Sequence, residues 1–250
     1  MKLDGKVSIV TGGGTGIGEA CALRFAREGS RVVVAGLDLA PLEEVVGEIQ
    51  AGGGEGFAIQ SDVGVVEDTE RIVAETVKRF GALHILVNNA ATVDLSKRVE
   101  DLTVEEWDRC LSASLRSVFL LSKRAAPRMK EAGGGAIINL GSVGAIIPWA
   151  EGAAYCAAKA GVLALTKALA IEYGPWNIRV NALSPGAIMT PNLKRAIEHF
   201  GHYEKLCSKS VFHRVGQPEE VASAVLFLAS DEASFVTAAN LFVDGGYLTL

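Results

Sequence analysis

Ser142, Tyr155 and Lys159 fall within the stretch running from Gly141 to Gly161, and their side chains suit proton transfer to or from a carbonyl or alcohol oxygen. A free phenol titrates at about 10 and is a poor base near neutrality. A lysine ammonium beside it favours the phenolate and is expected to lower that value. A serine hydroxyl can donate to the substrate oxygen as charge develops there. Tyr155 is thus the candidate acid or base, Lys159 its electrostatic partner and Ser142 the oxygen stabiliser. Tyr-x3-Lys on an Ala-rich run is by itself ordinary surface geometry, so its meaning depends on the surrounding elements.

The apolar run from Ala136 to Leu140 reads as a buried strand, and the run from Ala153 to Tyr173 as a helix. Tyr155 and Lys159 are four apart and share one face of that helix. Ser142 sits just past the strand, where an α/β sheet places its chemistry. Near the start, Val7 to Val10 reads as a strand that runs into Thr11-Gly-Gly-Gly-Thr-Gly-Ile-Gly18, followed by a helix with Ala20, Leu23 and Phe25 among its apolar residues. Strand, glycine loop and helix together fit a pyrophosphate site: glycines admit close backbone approach, and a helix N-terminus offers N–H groups.

Further strands are expected over 31–35, 57–60, 83–87, 177–183 and 240–244, and further helices over 41–50, 67–80, 104–129 and 219–229. This alternation is that of an α/β doubly wound parallel sheet, the Rossmann fold. On the long helix, Trp107, Leu111, Ser114 and Val118 share one face, which makes Ser114 a small polar residue on an apolar stripe. Its plain reading is a serine bonded back to its own helix.

The 250 residues lack an obvious linker, which fits one domain and leaves two open. With 49% hydrophobic and 21% charged residues, the composition is globular, and a net charge of −5 gives no global basic field for nucleic acid. The longest uncharged run, 132–150, is broken by Gly, Asn, Ser and Pro and reads as strand and loop rather than a membrane span. Cys21, Cys110, Cys156 and Cys207 are too scattered for a zinc pattern or a disulfide framework, so no metal is expected and a reducing, cytoplasmic compartment fits.

With these motifs in register, the chain resembles the compact single-domain short-chain dehydrogenases/reductases over nearly its whole length. The resemblance rests on Thr11-Gly-x3-Gly-x-Gly18, on Asp62, on Asn88-Asn89-Ala90, on Ser142 placed 13 residues before Tyr155, on Lys159, and on Ser184-Pro185-Gly186 through Thr190. It implies hydride transfer between nicotinamide and a secondary alcohol or ketone. It also implies cofactor contacts from Gly12, Thr15, Gly16, Ile17 and Gly18, from Leu37 and Asp38, and from Asp62 and Val63. Asn89 and Ala90, Tyr155 and Lys159, and Pro185, Gly186, Ile188 and Thr190 complete the implied set. A single NAD(P)-binding domain over 1–250, a substrate lid over about 187–217 and a homotetramer built on the two long helices follow from the same resemblance.

Two positions depart from the family pattern. Ser114 stands where the family commonly has an asparagine that helps link the lysine to solvent, so a weakened proton relay is expected there. Gly36 stands where NAD-users usually have an acid, while Leu37 and Thr15 supply no positive charge for a 2′-phosphate. Asp38 would repel such a phosphate and lies near the spacing of a ribose-binding acid, although its plain reading is a helix-start residue. The balance favours NAD(H) over NADP(H).

Residues 187–217 carry Lys194, Arg195, Lys205, Lys209 and Arg214 against Glu198 and Glu204, together with His199, His202 and His213. This reads either as a lid for an anionic substrate, such as the thioester of a 3-oxoacyl reductase, or as a solvated surface. Ile146, Ile147, Trp149, Met189 and Leu193 read as an apolar pocket wall, which favours a hydrophobic or cyclic small-molecule substrate. The competing functions are a cofactor-binding sensor or scaffold and a sugar-nucleotide epimerase or dehydratase; the latter needs a substrate domain for which the chain has little room.

Overall fold

The computed structural model describes residues 1–92 and 97–249. Seven parallel strands form one sheet: β1 (Val7–Thr11), β2 (Arg31–Gly36), β3 (Gly56–Gln60), β4 (Ile85–Asn88), β5 (Gly135–Leu140), β6 (Ile178–Pro185) and β7 (Asn240–Val243). Their order is β3-β2-β1-β4-β5-β6-β7, so the direction of winding reverses between β1 and β4. Ligands of such sheets bind outside the carboxyl ends of the strands at that reversal.

The strands are continuous apolar runs because both faces of the sheet are covered. Alternate residues feed two cores. On one face Val10, Val32, Val34 and Ile138 pack with Phe25 of α1 (Gly16–Arg27), Val45 of α2 (Leu39–Ala51) and Val225 of α9 (Pro218–Ala229). On the other, Ile9, Val33 and Ile137 pack with Ile72 of α3 (Val66–Phe80), Leu121 of α5 (Ser117–Glu131) and Leu169 of α6 (Ala153–Tyr173). Helix α6 together with the turn after it is long and apolar enough to cross a membrane by length and composition; here Ala158, Lys159, Val162, Thr166 and Leu169 of that helix are buried within the fold.

The helix expected over 104–129 is not uniform. It runs as α4 (Val104–Leu111), one π turn over Ser112–Arg116, and α5. A π turn inserts one extra residue and re-aims the side chains around it. Here it puts Leu115 against α6, so close to Gly161 that a Cβ there would lie 2.8 Å from Leu115 Cδ2. Strand β6 starts one residue later than expected because Asn177 adopts a left-handed conformation. Residues 187–217 hold two helices, α7 (Pro191–Phe200) and α8 (Tyr203–Cys207). Arg214 of this segment is committed to a two-pronged ion pair with Glu220 on α9, which removes it from the basic surplus seen in the sequence.

Candidate active site

The carboxyl ends of β1, β4, β5 and β6 bring the sequence-predicted residues to one edge of the sheet. The loop after β1 is a tight cradle. Gly12 and Gly16 have φ of 60° and 59°, a region glycine enters without a Cβ clash. At Gly18 a Cβ would lie 2.0 Å from the Gly12 carbonyl oxygen, so any side chain would force the loop open. Thr15 opens α1 without a side-chain cap, while the Gly16 N–H donates to Glu19 Oε2 at 3.1 Å. Ile17 and Gly18 continue this first turn. The glycine spacing and the helix start fit a dinucleotide pyrophosphate.

Several residues expected to face a cofactor make bonds that shape the cradle. Asn89 Nδ2 donates to the carbonyls of Thr11 and Gly12 at 2.8 and 3.2 Å, and the N–H groups of Asn89 and Ala90 both donate to Thr11 Oγ1 at 3.0 Å. Asn88 is turned into the core instead, where its Nδ2 donates to Asn139 Oδ1 at 2.8 Å. Thr190 Oγ1 caps α7 by accepting the Leu193 N–H at 3.3 Å, and its methyl group lies across from Gly16. Pro185 ends β6, the Gly186 N–H donates to Val243 O at 3.0 Å, and Ile188 bridges to Gly216.

Leu37 and Asp38 follow β2 and are exposed. Asp38 occupies the N-cap position of α2, but its carboxylate makes no capping hydrogen bond. The helix-start reading therefore covers its position and not its side chain. Asp62 Oδ1 accepts the Gly64 N–H at 2.7 Å and Val63 is buried, so this pair forms a folded turn beyond β3.

Ser142 begins the turn after β5. Its Oγ accepts the Gly144 N–H at 3.0 Å, and its hydroxyl is near enough to the Tyr155 phenol to favour that group's ionised form. Tyr155 lies in the first turn of α6 and packs among Leu102, Trp107, Cys110, Leu111 and Ala154. One turn on, Lys159 is 3% exposed, donates from Nζ to the Leu140 carbonyl at 2.6 Å, and places Nζ 5.6 Å from the centre of the Tyr155 ring. Burial pushes the Tyr155 phenol up to about 12, with the neighbouring Ser142 hydroxyl opposing it, and burial pushes the Lys159 ammonium down to about 8. The lowered tyrosine expected from the sequence is thus not what the protein's own groups give, because desolvation outweighs the helpful contacts.

Ser114 is fully buried and does not bond back to its own helix, contrary to its plain reading. Its Oγ accepts the Thr92 N–H at 3.2 Å, tying the π turn to the segment after β4. Its neighbour Ser117 is the one that bonds back, donating to Ala113 O at 2.6 Å. The exposed Trp149, which stands over Gly144 and Gly152, belongs to the site by its tilted ring contact with Tyr155 at 5.8 Å. The sequence shows Trp149 as one apolar residue among several; its neighbouring glycines were the available signal.

A glycine-lined nucleotide cradle beside a Ser–Tyr–Lys cluster at the reversal of a doubly wound sheet defines a nicotinamide-dependent oxidoreductase. Comparison with known proteins narrows the class. Residues 12–248 match the family model described as enoyl-(acyl carrier protein) reductase. The chain is 41% identical to a cyclohexanol dehydrogenase of Acinetobacter sp., over 98% of this chain and 96% of that one. It is 39% identical to an NAD-dependent glycerol dehydrogenase of Listeria innocua, over 97% and 93%. A crystal structure of a short-chain dehydrogenase/reductase from Burkholderia xenovorans superposes with a TM-score of 0.95 at 37% identity, covering 100% of this chain and 98% of that one. The chain belongs to the short-chain dehydrogenase/reductase family. It is an NAD(P)-dependent oxidoreductase acting between a secondary alcohol and its ketone.

The two shifted groups give stability a definite pH dependence. An unfolded lysine titrates at about 10.4, above the folded value, so between about 8 and 10 the unfolded chain binds more protons and stability rises with pH. Tyr155 acts in the opposite sense above about 10, where the folded chain holds the extra proton and stability falls. The buried Cys21 thiol, pushed up to about 12, acts against the lysine over the same range, so the lysine's part is read as a difference: from about pH 8 to 10 the melting temperature of Lys159→Met should lose ground against that of the parent.

Proposed function

We propose that the protein interconverts a hydrophobic, cyclic secondary alcohol and its ketone with NAD(H), and that Tyr155 moves the proton. The observation that carries this reading is the hydroxyl pair of Ser142 and Tyr155 with the Lys159 ammonium buried behind it. The Gly144 N–H fixes one side of Ser142 Oγ, which orients the hydroxyl toward the reacting oxygen. In the oxidising direction the Tyr155 oxygen takes the alcohol proton; in the reducing direction it gives that proton to the ketone oxygen. Lys159, with a value near 8, stays charged at neutral pH and offsets the cost of a buried phenolate. When bound, nicotinamide supplies or accepts the hydride at the same carbon. Tyr155→Phe is expected to lower kcat by about 10²–10⁴-fold, as loss of a positioned acid–base does. An undiminished rate in that variant refutes the assignment.

Cyclic substrates are favoured by the exposed Trp149 against the Tyr155 ring, by the exposed Ile146 and Ile147 on the same loop, and by the cyclohexanol-oxidising relative. The glycerol-oxidising relative makes a small polyol the second reading. The ratio of kcat/KM for cyclohexanol and glycerol decides between them.

The preference for NAD(H) rests on Asp38, an exposed carboxylate at the end of β2 that its helix does not use as a cap. Such a group accepts from ribose hydroxyls and repels a 2′-phosphate. The parent is expected to work better with NAD+ than with NADP+, and Asp38→Ala to narrow the difference. A parent that prefers NADP+ overturns this choice.

Ser114 is proposed to keep a weakened proton relay toward Lys159 through its hydroxyl, since the Thr92 bond uses that oxygen only as an acceptor. Ser114→Ala should reduce kcat near neutral pH more than at alkaline pH, and Ser114→Asn should not. Identical pH profiles for parent and both variants leave Ser114 with no relay role.

A further inference from the structure

Trp149 occupies a seat that two glycines create. A Cβ at Gly144 would lie 2.4 Å from Trp149 Cζ3, and a Cβ at Gly152 would lie 2.5 Å from Trp149 Nε1. The benzo edge of the indole therefore rests on Gly144 and the pyrrole edge on Gly152. Any side chain at either position would evict the ring. These two glycines belong to the two segments that hold the reacting hydroxyls. Gly144 donates its N–H to Ser142, and Gly152 is the N-cap of the helix that begins with Tyr155 in its first turn. The indole thus spans from the serine side to the tyrosine side and meets the Tyr155 ring at 5.8 Å with a 39° tilt.

Although it is held against both glycines, Trp149 is 44% exposed. A large aromatic surface left open beside buried polar groups marks a binding wall more than a packing residue. The chain also spends two glycines to hold it, where any side chain would break the contact. Ile146 and Ile147 on the same loop are exposed as well.

We propose that Trp149 is the specificity-determining residue of this site: its open indole face is the platform on which the ring of an alicyclic secondary alcohol lies while its hydroxyl reaches Ser142 and Tyr155. This deepens the cyclic-alcohol reading above and rests on it. The indole ring is flat and apolar, which suits a six-membered carbocycle and gives little to a polyol whose hydroxyls need partners. An alicyclic ring gains contact area there without hydrogen bonds, so the platform acts on binding and leaves the proton step to the hydroxyl pair.

The test compares initial rates of the full chain with NAD+ on cyclohexanol and on glycerol, for the parent, Trp149→Ala, Trp149→Phe and Gly152→Ala. The parent rates judge the substrate class alone: turnover of glycerol and of no cyclic alcohol defeats the cyclic reading. Given a parent that oxidises cyclohexanol, Trp149→Ala should raise its KM by about tenfold, the scale of losing one apolar wall of a pocket. The same variant should leave kcat within about threefold and the glycerol KM unchanged, the pattern of lost substrate binding. Trp149→Phe should recover most of the cyclohexanol KM, and Gly152→Ala, which displaces the indole without removing it, should reproduce the loss. Equal falls in kcat for both alcohols at constant KM would make Trp149 a brace for the hydroxyl pair and overturn the proposal. Unchanged constants in Trp149→Ala would overturn it as well. Melting temperature and NAD+ binding of each variant separate these results from misfolding, and Trp149→Phe decides the matter if Gly152→Ala fails to fold.

Discussion

A buried positive charge is the constraint around which this molecule is built. Lys159 lies almost wholly out of water, and moving an ammonium there is costly unless oriented dipoles meet it. The Leu140 carbonyl, at the very end of β5, supplies such a dipole at 2.6 Å. That bond fixes where α6 stands relative to the sheet. It also leaves the charge facing the ring of Tyr155, one turn earlier. The same burial that depresses the lysine raises the phenol, so neither group is at rest at its ordinary value. The site stores a poised charge and a reluctant acid side by side, which is how perturbed groups come to serve proton transfer.

The nucleotide cradle obeys a different constraint, the absence of side-chain volume. Gly18 leaves no room for a Cβ against the Gly12 carbonyl, and Asn89 reaches across from β4 to hold that loop by its backbone. Two strands that are neighbours in the sheet are therefore joined again at their ends. The cradle and the proton site share a scaffold, since Asn88 is in register with Asn139 on β5, one residue before Leu140.

Much of this was legible in the sequence because burial on both faces leaves uninterrupted apolar strands, and glycine spacing leaves few alternatives for the first loop. Ser142, Tyr155 and Lys159 were recoverable from spacing because a helix turn and a strand end are rigid rulers. What stayed hidden depends on three-dimensional contact. The π turn around Ser114 has no local signature in Ser112-Ala-Ser-Leu-Arg116; it follows from fitting Leu115 against Gly161. The direction of the Tyr155 shift depended on how deeply the phenol is desolvated, which residue types do not state. Asn89 and Thr190 were placed at the right edge of the sheet, yet their side chains tie backbone together, and a motif cannot distinguish those uses.

The run of polar side chains inside the sheet has a consequence for how such a site can diversify. Asn88 donates to Asn139, Asn139 donates to Thr166 Oγ1 at 2.9 Å, and Thr166 donates to Val162 O at 2.8 Å, all within the core. This works as a key in a keyway: turning α6 by a single residue would swing Thr166 about 100° away and strand the Asn139 amide donor in hydrocarbon. The helix can then be mounted in one angular setting alone, and the loop residues from Ala145 to Glu151 can be rewritten without turning the axle that carries the proton chemistry.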